Sequence, residues 1–330
     1  CLFLPSNRYS NRIRRNMIRH FFFFFLLIHS TLAQKSTGKP SKTWLTLNGA
    51  EPVVIARGGY SGLFPDSSQF GFQFAVSTSL PNVIVFCDLQ LTKDGQGICQ
   101  TDLALNNSTT IALAFPKGEK TYNVNGKDVR GWFALDYTSK QMFKDVFLTQ
   151  NIFTRPSLFD GTLPMYAVED AASLEGDPKL WLNVQYDTFY TQHKLNAALY
   201  IEKALRSTVL NYISSPEIGF LKTINGMVNK ARTKLIFQLL EANAIEPTTK
   251  QTYSSILKDL SSIKLFASGI LLPKEYIWPV NAEMYLEAPT NLVADAHKQG
   301  LEVYASGFAN DIPASYNYSY DPTAEYLQFI

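Results

Sequence analysis

The chain has 330 residues, 46% of them hydrophobic, with 18 Gly and 16 Pro. That is a globular composition, and the length suits one large domain or two small ones. The formal net charge of +2 gives no basis for a polyanion partner, so nucleic acid is not expected.

The charge is unevenly placed. Residues 1–33 carry Arg8, Arg12, Arg14, Arg15 and Arg19 and no acid, and without those five arginines the formal charge falls from +2 to −3. Met17-Ile18-Arg19-His20 is a short basic start, Phe21 to Ile28 an unbroken apolar run, and Thr31-Leu32-Ala33 a small-residue cleavage site. This is the pattern of a secretory signal peptide over 17–33, with a run too short to span a bilayer. Residues 1–16 then lie upstream of the true start, and 34–44, rich in Ser, Lys, Gly and Pro, form a flexible leader. The expected location is the secretory pathway, where the sequons at Asn106, Asn107 and Asn317 gain weight as glycosylation sites.

Val53-Val54-Ile55 reads as a short covered strand, ended by Gly58, Gly59 and Gly62. Pro65-Asp66-Ser67-Ser68 opens a helix, with Asp or Ser as cap and Phe70, Phe74 and Ala75 sharing one face. Val83 to Leu91 is the second strand, and Asp94-Gly95 supplies the turn back. With that turn at Lys93 to Gln96, Gln90 faces Cys99. Cys87 then lies on the opposite face from Cys99, so two buried thiols are expected rather than a disulfide. Asn106 to Lys144 reads as a polar, irregular insertion. Glu169 is a first-turn helix acid. Strands are expected at 181–186, 208–213, 234–239, 263–270 and 301–305. Helices are expected around 195–205, from Pro216, at 253–260, at 273–278, from Pro289 to a left-handed cap at Gly300, and at 321–328. His193 and His297 are placed on outward helix faces. Such alternation signals βαβ units, and this many units favour a closed (β/α)8 TIM barrel over 45–330. The closing strand is not found, so the sequence reads as truncated.

The first turn, Ala56-Arg57-Gly58, the helix start Pro65-Asp66-Ser67-Ser68, the strand Phe86-Cys87-Asp88 and the return Thr101-Asp102 together resemble the glycerophosphodiester phosphodiesterase family. Its corresponding words are His-Arg-Gly, Pro-Glu-Asn-Thr, Glu-x-Asp and His-Asp. Longer words resemble the N-terminal domain of the plant glycerophosphodiester phosphodiesterase-like group: Tyr212 to Glu217, Pro273 to Pro279 and Asn317 to Pro322. That resemblance implies two tandem barrels behind a signal peptide. It also implies a lipid anchor in a C-terminal part beyond Ile330, and a role in cell-wall organisation at the wall or the outer face of the plasma membrane.

Residue by residue, the resemblance makes Arg57 the phosphate clamp and Asp66 and Asp88 ligands to a divalent cation, Ca²⁺ or Mg²⁺. It also exposes losses. Ala56 and Thr101 stand at the two catalytic histidine positions. Phe86 and Gln185 replace family glutamates, and Ala305-Ser306 replaces Trp-Thr. General acid–base help of about 10²–10⁴-fold is gone, and a cage short of two carboxylates holds a divalent ion weakly or not at all. Rival roles stay open: a rim salt bridge for Arg57, a hydrogen-bonded barrel aspartate for Asp88, a helix cap for Asp66. The aromatic residues Trp132, Tyr137 and Tyr316 to Tyr320 serve either packing or sugar stacking.

Two functional expectations follow. One is a secreted metal-dependent phosphodiesterase acting on glycerophosphodiesters to give glycerol 3-phosphate and an alcohol. The other is a pseudoenzyme domain that binds a small anionic or glycan ligand and supports a second barrel.

Overall fold

The computed structural model describes residues 45–330 apart from 48 and 313. The expected signal peptide, upstream segment and leader lie outside the described residues. Two units separate at Pro52. In the first, Thr46 and Ala50 close a small turn. The second, Val53–Ile330, is an α/β TIM barrel.

Among the described residues twelve strands form: β1 (Ile55–Arg57), β2 (Ile84–Leu91), β3 (Gly97–Cys99), β4 (Lys120–Val124), β5 (Lys127–Gly131), β6 (Phe147–Leu148), β7 (Leu163–Pro164), β8 (Lys179–Asn183), β9 (Tyr212–Ser215), β10 (Lys234–Gln238), β11 (Gly269–Pro273) and β12 (Glu302–Ser306). Seven of them pair side by side and parallel in the order β1-β2-β8-β9-β10-β11-β12. Among the described residues no ladder joins β12 to β1. The seam is bridged at the C-terminal rim by a side chain from the loop between β6 and β7. Arg155 makes a two-point pair with Asp311 after β12, at 2.9 and 3.0 Å, and donates to Ser61 Oγ after β1 at 2.9 Å.

The central parallel strands β2, β8, β9, β10 and β11 are short and mostly buried, which is why they read as apolar runs. Ile84, Phe86, Trp181, Tyr212, Ile236 and Leu271 form an inner plug, and Trp181 stacks on Tyr212 at 4.9 Å. Alternate residues such as Val85, Leu180, Leu182, Ile213 and Phe237 pack outward into a larger shell with the helices. The first helix, Gln69–Thr78, buries Gly71, Phe72 and Ala75. Phe70 is exposed, and Phe74 packs sideways on Tyr60 and Phe64.

Two expectations are corrected. The reversal after β2 uses a three-residue loop, Lys93-Asp94-Gly95, with Gly95 at φ +74° closing it as a left-handed residue. Leu89 therefore faces Cys99, one position away from the expected register. A one-residue slip moves every side chain to the other face, so Cys87 and Cys99 share a face as diagonal neighbours. They form a disulfide with Cα atoms 5.1 Å apart. The stretch from Asn106 to Lys144 is ordered rather than irregular. β4 and β5 form a hairpin across Asn125-Gly126, and Ile111, Ala134, Tyr137 and Met142 share a second core with Ile98 and Leu148.

Candidate functional site

The C-terminal ends of β1, β2, β8 and β9 carry a continuous polar belt. Arg57 ends β1, and its Nε donates to Asp88 Oδ2 on β2 at 2.9 Å. The other Asp88 oxygen accepts from Asn183 Nδ2 at 2.7 Å. Asn183 also donates to Gln185 Oε1 at 2.9 Å and accepts from Ser214 Oγ at 2.7 Å, and Trp181 Nε1 donates to that same hydroxyl. Asp88 is 2% exposed while the Arg57 side chain is 54% exposed. The pair is thus rooted in the barrel and open at its tip. Asp88 raises the affinity of the guanidinium for its proton further still. Its carbon lies 6.0 Å from the Phe86 ring centroid, within cation–π range. Phe86 has become the floor beneath the arginine.

Asp66 sits beside this pair, buried in the loop after β1. Ser67 Oγ donates to one oxygen and Thr101 Oγ1 to the other, both at 2.7 Å. Burial pushes its carboxyl above the usual range, against the pull of those two hydroxyls and Arg57. The helix cap is Ser68, which accepts from Gly71 N, so of the two candidates Asp66 does not serve. Arg57, Asp66 and Asp88 therefore converge on one place, as their positions at strand ends require. Ala56 is half-buried in β1 and offers no titrating group. Tyr186 completes the surroundings: burial raises its hydroxyl pKa and Asp88 adds to the effect. Of the sequon asparagines, Asn107 and Asn317 are exposed and Asn106 is half-buried, donating to Asn107. His193, expected on an outward face, is half-buried with its ring 4.7 Å from Tyr122.

No protein-family model matches the chain. The Arabidopsis thaliana proteins Glycerophosphodiester phosphodiesterase GDPDL6 and GDPDL7 are each 54% identical to it over 319 residues. These matches cover 95% of this chain and 42% of theirs. The chain is a member of the glycerophosphodiester phosphodiesterase family. It spans less than half the length of those relatives. Among solved structures it is similar in fold to a putative glycerophosphoryl diester phosphodiesterase from Silicibacter pomeroyi, at TM-score 0.53 and 14% identity, covering 77% of this chain and 82% of that one. An Oleispira antarctica phosphodiesterase, in complex with the product sn-glycerol-3-phosphate, gives TM-score 0.52 at 13% identity, covering 84% and 95%.

The divalent cation that the resemblance to this family implies does not fit the donor set here. All four carboxylate oxygens of Asp66 and Asp88 already accept a hydrogen bond. Gln185 Oε1 is turned to Asn183, Phe86 has no donor atom, and a guanidinium sits 2.9 Å from one of the would-be ligands. Hard cations need several free oxygens converging on one point. Among the described residues no group of three His, Cys, Asp or Glu side chains could hold one.

A second carboxylate row on the same face escaped the sequence reading. Glu217, after β9, is fully buried, and its Oε2 accepts from Thr188 N at 2.8 Å and Thr188 Oγ1 at 2.5 Å. It thereby caps the helix that follows β8. Glu246, after β10, likewise accepts from Ile218 N at 3.0 Å, capping the helix after β9. Burial would raise Glu246, but donors from Thr248 and Thr249 outweigh it and hold the carboxyl low. Glu217 has fewer donors. Burial pushes it up to about 7, with Asp187 and Glu246 adding repulsion.

A folded pKa above the unfolded one means stability that is complete below pH 4.5 and is lost as pH rises through 7. Glu217→Gln keeps the acceptor and removes the ionisation. The variant is expected to outlast the parent by on the order of 2 kcal/mol at pH 8 and to match it at pH 4.5. Urea melts at both pH values check this, and a constant gap across them would show that Glu217 does not titrate in this range.

Proposed function

We propose that this barrel binds a phosphate ester at Arg57 without hydrolysing it. The observation that carries this reading is the capture of all four Asp66 and Asp88 oxygens by neighbouring donors, beside an arginine with a solvent-exposed tip. An arginine oriented by a carboxylate and an aromatic ring offers its remaining N–H groups to an anion with little ordering cost. Hydrolysis needs a proton for the leaving alkoxide. Ala56 cannot supply one, and Thr101 spends its proton on Asp66.

The proposed setting is the secretory pathway. The apolar N-terminal run supports it, and so does the Cys87–Cys99 bond, since such bonds persist in oxidising compartments. Exposed Asn107 and Asn317 suit glycosylation there.

The whole chain is to be titrated with sn-glycerol 3-phosphate and assayed on glycerophosphocholine with Ca²⁺ or Mg²⁺. Saturable binding is expected, weakened about tenfold or more by Arg57→Ala, with no turnover above background. Metal-dependent turnover abolished by Arg57→Ala would establish the phosphodiesterase reading that the relatives' names carry. Absence of binding would remove the anion site altogether.

A further inference from the structure

Beyond β12 the chain builds a second concave site that shares no residue with the belt around Arg57. A cavity of about 160 Å³ lies between the loop after β12 and the helix Pro322–Gln328, lined among others by Asp311, Asp321, Glu325, Tyr318 and Tyr320. Its acids are already committed. Asp311 pairs with Arg155, Glu325 with Lys274 at 2.5 Å, and Asp321 accepts from Thr323 N at the start of that helix. Two of the three carboxylates are offset by a cation, so the lining favours no strongly charged ligand.

One wall group is uncommitted. Tyr318 is 8% exposed, and its hydroxyl has no hydrogen-bond partner among the described residues. Buried polar atoms are nearly always paired, and an orphaned one is costly. Burial, and Glu325 beside it, raise the Tyr318 pKa, so the phenol keeps its proton and can donate. An exposed aromatic strip leads away from the cavity. Tyr320 on its rim lies 6.1 Å from Tyr316, which lies 5.6 Å from Tyr285, between ring centroids, and all three rings are exposed.

We infer that this is a binding site for a neutral carbohydrate. One sugar ring enters the cavity and hydrogen-bonds to the Tyr318 hydroxyl and to lone pairs of the paired carboxylates. Further rings lie over Tyr320, Tyr316 and Tyr285. Rigid amphipathic tyrosines suit this ligand, because each sugar ring has an apolar face and polar edges. The cavity is too small for a larger ligand, since drug-sized molecules need roughly 300 Å³ or more.

The test uses the full chain, titrated calorimetrically with a neutral β-1,4-glucose tetramer, a neutral β-1,4-mannose tetramer and an acidic galacturonic acid tetramer, each up to about 10 mM. Saturable binding of a neutral tetramer is expected. Tyr318→Phe should weaken it about three- to tenfold, and Tyr320→Ala about fivefold. Arg57→Ala should leave it unchanged, which separates this site from the phosphate site. Tyr318→Phe removes only an unpaired hydroxyl, so its melting temperature should equal or exceed the parent's. A lower one would reveal a structural partner and overturn the assignment. Binding of none of the three, binding of the acidic tetramer alone, or binding untouched by both tyrosine variants would each overturn it as well.

Discussion

Gly58→Ala should destabilise the barrel by about 4 kcal/mol, one of the largest single-residue effects expected in this chain. Two causes act together. Gly58 sits at φ +65°, in the left-handed region, which costs a residue with a Cβ about 1–2 kcal/mol. A Cβ there would also stand 1.8 Å from Asp66 Oδ1 and 2.5 Å from Asp66 Cγ. That carboxyl is buried and held on both oxygens by Ser67 and Thr101, so it cannot swing away without losing hydrogen bonds to a buried group.

Gly95→Ala is the matched control. Its φ is +74°, but nothing lies within 4 Å of the added carbon, so about 1 kcal/mol is expected. Urea unfolding of both variants gives the comparison. Adding Asp66→Ala to Gly58→Ala should recover part of the loss through a coupling term. Equal costs at Gly58 and Gly95 would mean that the Asp66 carboxyl does not fill the space against the Gly58 backbone. The close approach also explains why the first turn must read Arg-Gly. The glycine lets Asp66 lie beside the arginine that the site presents.

Much of this architecture was legible because barrel strands obey local rules. Short apolar runs alternate with capped helices, and polar residues at strand ends fall on one face. Arg57, Asp66 and Asp88 could therefore be placed together, from the family resemblance and from their positions in the first two strand–loop units. The Gly300 cap, at φ +70°, was legible for the same reason. What escaped depended on register and on partners distant in sequence. The β2–β3 register is shifted by one residue from the expected one, which inverted the prediction for the cysteines. Asn125-Gly126, at φ +50° and +87°, is a strong hairpin signal, but it was masked by the polar strands around it.

The helix expected over 253–260 is two helices, Tyr253–Ile256 and Leu260–Lys264, because Thr252 and Asp259 each cap one. That second start displaced the expected strand at 263–270 to Gly269–Pro273. The roles of Asn183 and Ser214 could not be read at all. Each is an ordinary polar residue until β2, β8 and β9 bring Asp88, Asn183 and Ser214 into line.

The disulfide makes the second large effect testable. Cys87 and Cys99 are both fully buried and twelve positions apart. Closing a loop of that length removes unfolded-state entropy equivalent to about 3 kcal/mol. The bond ties β2, whose Asp88 anchors Arg57, to the return strand that leads to Thr101, the donor to Asp66. Its loss should therefore loosen both carboxylates of the site as well as lower stability. The urea midpoint of the parent should fall when unfolding is equilibrated with a thiol reductant, by the equivalent of about 3 kcal/mol. The Cys87→Ala, Cys99→Ala double variant should show a low midpoint that reductant does not change. Glycerol 3-phosphate binding should weaken in that variant while Arg57 is intact, because the carboxylate that orients the guanidinium is less well held. A parent midpoint indifferent to reductant would mean that the two sulfurs are not bonded, and the register that places them on one face would have to be redrawn.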